Sequence, residues 1–262
     1  MRPQLLLLLS TTACSMDWRL ARQTTGDAGV RSAAVLCDSI PSLASAPAID
    51  GKLEPGLALD SWLDAGASGV PAGISASFSL AWRPDGLYFF AAVTDPTRDP
   101  AAPGALAYCG DGVELVVDDD GVIDHPPGYD VPGTMQLIVA APSDDVTPAR
   151  RGQRFVFPGT SSDSTDLGAW TSTRFIAVPT ASGYAVEALV VAGDLDLGSW
   201  ALAPGGKIGW DVSLNIGGPE DAGIDACTTR SQQVHFRVAA SGACTAPYCN
   251  ASALCAPTLA AP

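Results

Sequence analysis

The sequence predicts an all-β chain: a single antiparallel β-sandwich of roughly nine strands, followed by a disulfide-rich C-terminal tail. Three observations carry this. Short runs alternate apolar and polar residues with a period of two. Gly, Pro and Asp clusters separate these runs at regular spacing. No long helical period occurs, and strands and helices do not alternate as they would around a parallel sheet. With 262 residues, 47% of them hydrophobic, the chain has enough apolar surface for one large core.

The ordered region is expected to open at Ala48-Ile49-Asp50-Gly51, where Asp-Gly marks a tight turn. Leu59-Asp60-Ser61-Trp62 reads as a short helical turn whose indole plugs one end of the core, and Gly66 to Gly73 as loop. Ile74 to Trp82 is the clearest strand, with Ile74, Ala76, Phe78, Leu80 and Trp82 on one face. After the turn Arg83-Pro84-Asp85-Gly86, Leu87 to Thr94 is apolar on both faces, which predicts a central strand covered on both sides. Val113, Leu115 and Val117 share one face of the next strand; Glu114 and Val116 take the other. Thr134 to Ala140 follows, with Met135, Leu137 and Val139 opposite Gln136 and Ile138. Further strands are expected at Arg154–Phe157, Ala169–Val178, Gly183–Val191, Lys207–Ile216 and Gln233–Ala239. A helical turn is placed near Trp200. The sequence carries no internal repeat and no second core.

A formal charge of −14 and a pI near 4.2 argue against nucleic acid and anionic membrane surfaces as partners. Residues 1–14 read as a signal peptide: one positive charge, then Leu5 to Leu9, too short to span a bilayer. Thr12-Ala13-Cys14-Ser15 resembles a lipoprotein cleavage site with Cys14 lipidated, although Thr11 stands where Leu is usual. The chain is therefore expected to be secreted, periplasmic or on the outer surface, with a lipid anchor through Cys14 as one form. Residues 15–47 read as a tether, 48–240 as the sandwich and 241–262 as a Cys-rich tail. Beyond Cys14, the six cysteines Cys37, Cys109, Cys227, Cys244, Cys249 and Cys255 suit up to three disulfides in an exported chain. Local pairing in the tail, with Cys37 or Cys109 tied to it, is preferred among 15 connectivities. The spacing of Cys244, Cys249 and Cys255 fits no standard zinc pattern.

The chemistry concentrates between Tyr108 and Asp120. A carboxylate projecting from a sheet beside an aromatic ring suits a sugar: the ring covers an apolar face and the carboxylate accepts from hydroxyls. Asp111 and Glu114, three apart on a strand, face opposite sides and make a poor acid–base couple for glycoside hydrolysis. Neither a Gly-x-Ser-x-Gly elbow nor a His-Glu-x-x-His helix is present, so catalysis is not expected.

The ordered set Ile49-Asp50-Gly51, Phe78-Ser79-Leu80-Ala81-Trp82, Leu87-Tyr88-Phe89, Val93-Thr94-Asp95, Asp111 to Asp118, Gly183 to Ala188 and Ile208 to Asn215 resembles the family-9 carbohydrate-binding modules, over residues 48–240. The resemblance implies a β-sandwich that binds ends of glucan or xylan chains and small sugars, usually as an accessory to glycoside hydrolases. It also implies a sugar held between two rings, with a Glu and amide or Arg side chains on its hydroxyls. Tyr108 falls near the first ring, Glu114 on the Glu, Gln136 near a position often Arg, and Asn215 near a polar position of the late strand. The sequence departs at the second ring, usually a Trp beyond the late strand. No Trp follows Trp210, and the nearest late aromatics are Phe236 and Tyr248. One ring of such a pair contributes roughly 1–3 kcal/mol by analogy with base stacking. Some relatives also bind calcium, for which Asp118, Asp119, Asp120 and Asp124 are the candidate ligands, although their spacing is not an EF-hand loop. No other cofactor is expected. The alternatives are a surface lipoprotein using its sandwich for display or protein contact, and a haem site between Met135 and His235. The saccharide reading requires Tyr108 and Glu114 side by side at a solvent-facing cleft.

Overall fold

The computed structural model describes residues 37–63, 70–100, 107–118, 134–156, 165–169, 174–191, 202–218, 230–236 and 254–262. The strands in chain order are β1 (Ser39–Ile40), β2 (Asp60–Leu63), β3 (Ser75–Arg83), β4 (Gly86–Thr94), β5 (Gly112–Asp118), β6 (Thr134–Ala140) and β7 (Gly152–Val156). There follow β8 (Thr165–Ala169), β9 (Phe175–Thr180), β10 (Gly183–Val190), β11 (Gly209–Gly217), β12 (Arg230–His235) and β13 (Thr258–Leu259). A 3-10 turn, Ala107–Cys109, precedes β5.

Two antiparallel sheets form the sandwich, in the orders β2-β3-β4-β10-β9 and β12-β11-β5-β6-β7-β8. Alternation decides which side chains meet between them. Phe78 and Leu80 of β3, Leu87 and Phe89 of β4, and Val186 of β10 come from one sheet; Val113, Leu115, Leu137, Val212 and Leu214 come from the other. As their two apolar faces predict, Leu87 to Thr94 are covered on both sides. Tyr88 and Phe90 belong to a second cluster under Leu43, Ile49, Leu53 and Leu57.

The covering segment is fastened by a carboxylate. Glu187, fully buried on β10, accepts hydrogen bonds from Asp50 N (2.7 Å), Gly51 N (2.6 Å) and Tyr88 Oη (3.0 Å). Gly51 must be glycine: its φ is +85°, and a Cβ there would lie 2.5 Å from the Val178 side chain. Burial raises the Glu187 pKa, and the three donors oppose that rise.

Several elements differ from expectation. Asp60–Leu63 is an edge strand paired with β3, not a helical turn; Asp60 and Leu63 are buried there while Trp62, half-buried, meets Phe78 edge-on at 6.2 Å. The run expected as one strand at Ala169–Val178 is two, β8 and β9, on different sheets. The segment read as tether up to Pro47 is partly structural. Its Ile40 is fully buried, β1 pairs in parallel with β13, and Leu43 N donates to Trp82 O at 2.9 Å. Cys37 is bridged to Cys255, joining the ends of the described chain. Cys109 is also disulfide-bonded, to a partner outside the described residues. Cys14, Cys227, Cys244, Cys249 and the turn placed near Trp200 lie outside them too. No helix among the described residues is long and apolar enough to cross a membrane.

Candidate functional site

The outer face of the six-stranded sheet carries the polar residues of the alternating pattern. Glu114 pairs across β5–β11 with Ser213 and across β5–β6 with Ile138; Gln136 lies opposite Val116, and Gln233 opposite Asn215. This register turns four side chains toward one point. Glu114 accepts from Gln136 Nε2 (2.5 Å), Gln233 Nε2 (2.6 Å) and Asn215 Nδ2 (2.6 Å). Hydrogen bonds to a charged acceptor contribute about 1.5–3 kcal/mol each, so the cluster is rigid. Each amide that donates its nitrogen also presents a carbonyl oxygen. Asn215 Oδ1 and Gln233 Oε1 are buried and meet no donor.

Tyr108 is brought to the same face by the 3-10 turn. Ala107 N donates to Gln153 Oε1 on β7 (3.0 Å), and the half-buried Tyr108 packs on Ala107, Ile138 and Ala140. Ile138 is the cross-strand neighbour of Glu114, so all four expected binding residues share one sheet face.

Two features that the resemblance implies, an exposed acid and a second ring, are not found among the described residues. Glu114 and Asn215 are 0% exposed, so the acid does not front an open cleft. The turn bearing Tyr108 and the disulfide-bonded Cys109 packs onto this face of β5, β6 and β11. Nor does Phe236 supply the second ring: it stacks on Trp210 at 5.5 Å and 9°, inside the sandwich. At the end of β11 a Cβ on Gly217 would stand 2.4 Å from Asp99 O, so that position accepts no side chain. Tyr248 lies outside the described residues.

Sequence reasoning missed Gln233. It was legible, because alternation with the inward Val234 turns Gln233 and His235 outward, but only strand pairing shows that β12 lies beside β11. The same face carries Ser213, whose Oγ lies 2.5 Å from His235 Nδ1. Met135 is buried in the core while His235 stands on the outer face, so the two cannot hold one haem. Of the calcium candidates, Asp118 is buried at the end of β5; Asp119, Asp120 and Asp124 lie outside the described residues.

Asp111 faces away from Glu114, as the spacing requires. It accepts from Asp99 N and from Gly217 N (2.5 Å), fixing the end of β11 two residues beyond Asn215. Burial pushes its pKa from 3.8 up to about 7, against the pull of the two N–H donors. Between those values the folded protein keeps a proton that the unfolded chain has released. Asp111 therefore contributes stability most fully below pH 3.8, and loses it as pH rises toward about 7. Urea unfolding across this range should show that decline, and Asp111→Asn should flatten it; equal slopes would contradict the assignment.

No family model matches the chain, and no curated protein matches it. Solved structures do share its fold. A family-9 carbohydrate-binding module from Caldicellulosiruptor kristjanssonii, in complex with glucose, superposes with a TM-score of 0.53 at 19% identity, covering 86% of this chain and 95% of its own. The same organism's module with cellotriose gives 0.52 at 18%, covering 86% and 94%. A proposed carbohydrate-binding protein from Bacteroides uniformis gives 0.53 at 9%, covering 84% and 97%. At these identities the likeness establishes the sandwich.

Proposed function

We propose that this sandwich, which shares its fold with family-9 carbohydrate-binding modules, is a non-catalytic domain of an exported protein that binds a neutral saccharide at the rim of the Glu114 cluster, where Tyr108, Gln136 and Gln233 keep some exposure, in place of the solvent-facing cleft expected beside the acid itself. One observation carries the proposal. A carboxylate ringed by Gln136, Asn215 and Gln233 leaves two amide oxygens, Asn215 Oδ1 and Gln233 Oε1, buried without donors. A buried acceptor without a donor costs about 1–3 kcal/mol, and hydroxyls are the donors that would satisfy both. The Cys37–Cys255 bridge supports an exported setting. A binding role fits better than hydrolysis because Asp111 and Glu114 are tied up on opposite faces of their strand.

Complete burial of Glu114, and the absence of a second ring beside it among the described residues, favour a second reading: a display or protein-contact domain in which this cluster only braces the sheet. Affinity electrophoresis in xylan and soluble cellulose fragments separates the two. On the saccharide reading the wild type is retarded, Glu114→Ala weakens binding about 10–100-fold, and Tyr108→Ala weakens it about 3–10-fold. A folded wild type that migrates freely through every glycan leaves the display reading standing.

A further inference from the structure

A second polar site lies elsewhere, at the end of the sandwich where β4 and β9–β10 turn. A cleft of about 1130 Å³ opens there between the Thr94–Arg98 segment, the Pro179–Gly183 turn, Gly73 and Asp145. That is slightly larger than most small-molecule sites. Its wall holds two charged groups that the chain has fixed but only partly used. The Arg98 side chain is 10% exposed; Nη1 donates to Gly183 O at 3.0 Å and Nη2 to Asp145 Oδ1 at 2.5 Å. A guanidinium has five N–H groups, so three remain to donate. Asp95, 5% exposed, accepts through Oδ1 from Thr97 N (2.9 Å) and Thr97 Oγ1 (3.2 Å), which leaves Oδ2 as an acceptor. The ion pair of Arg98 is with Asp145, so Asp95 and the guanidinium stand as a separate acceptor and donor in one wall.

We infer that this cleft is a binding site for a neutral, hydroxyl-rich ligand of saccharide type, independent of the Glu114 cluster. A hydroxyl both donates and accepts, which an Asp95 oxygen and an Arg98 N–H together demand. Asp95 and Asp145 outweigh Arg98 in charge, which disfavours anionic ligands. Thr94, Thr180 and Ser182 add hydroxyls at the rim, and no aromatic ring among the described residues lines the cleft, so recognition there rests on hydrogen bonds rather than stacking.

Titration calorimetry of the full chain with cellotriose, with thermal unfolding as a check on folding, tests this. Thr180 is an exposed rim residue, so Thr180→Trp fills the cleft without touching the core; Arg98→Lys keeps the charge but removes the fork. The cleft is supported if Thr180→Trp weakens a binding event at least tenfold and Arg98→Lys weakens the same event. Glu114→Gln separates this from the reading above. If it leaves titration unchanged while Thr180→Trp removes it, the cleft stands and the Glu114 site falls. If Thr180→Trp and Arg98→Lys both titrate as wild type, or no variant or wild type binds, the cleft proposal is overturned.

Discussion

Replacing Glu187 by alanine is expected to lower the free energy of unfolding by about 3–5 kcal/mol, a loss of the size seen when a buried charged partner is removed. The carboxylate is the shared acceptor for Asp50 N, Gly51 N and Tyr88 Oη. Without it two backbone N–H groups lose their acceptor under a covering segment that gives them little water, and the phenol keeps only its long bond to Lys52 O (3.5 Å) as donor and the Glu54 N–H (3.2 Å) as acceptor. The segment itself should loosen, because Ile49, Leu53 and Leu57 hold to the outer face of the five-stranded sheet mainly through their contact with Tyr88, Phe90 and Ala185. Glu187→Gln keeps one acceptor oxygen and should recover part of the loss. Urea unfolding monitored by circular dichroism reads both. An alanine variant within 1 kcal/mol of wild type would show that the carboxylate does not hold the segment.

Trp210→Ala is expected to cost a similar amount, about 3–5 kcal/mol. Trp210 is fully buried, stacked on Phe236 and edge-on to Phe78 at 5.4 Å. The cavity would open between the sheets beside Phe236, which directly follows β12, the strand that carries Gln233. A lost Trp210 should therefore also expose Gln233 amide hydrogens to exchange faster than those of β4. If stability falls but exchange at β12 and β4 rises equally, Trp210 is a general core residue and not a support for the amide cluster.

The inner faces were legible because period-two alternation needs no partner to be read. Ile74 to Trp82 and Val113 to Val117 point where their spacing says. The Asp50-Gly51 turn was legible for a similar reason, since the residue pair itself dictates the backbone. Asp60–Leu63 was misread because an edge strand of four residues around one large indole carries too little alternation to separate it from a turn. The β1–β13 pairing is two residues on each side, more than two hundred positions apart, and no local pattern announces such a contact. At the candidate site, strand faces brought Tyr108, Glu114, Gln136 and Asn215 together on paper. Burial was not readable there, because a Glu on the outer face of a sheet looks solvated until something is known of what lies across it.

The bridge between Cys37 and Cys255 closes nearly all of the sandwich within one covalent ring. Tension applied between an anchor upstream of residue 37 and a load downstream of residue 259 would pass from one sulfur to the other and bypass every strand but β13, which lies outside the ring. In a single-molecule pulling experiment the oxidised domain should extend only by the short release of β13 from β1. After reduction the same pull should go on to unravel the layers behind them.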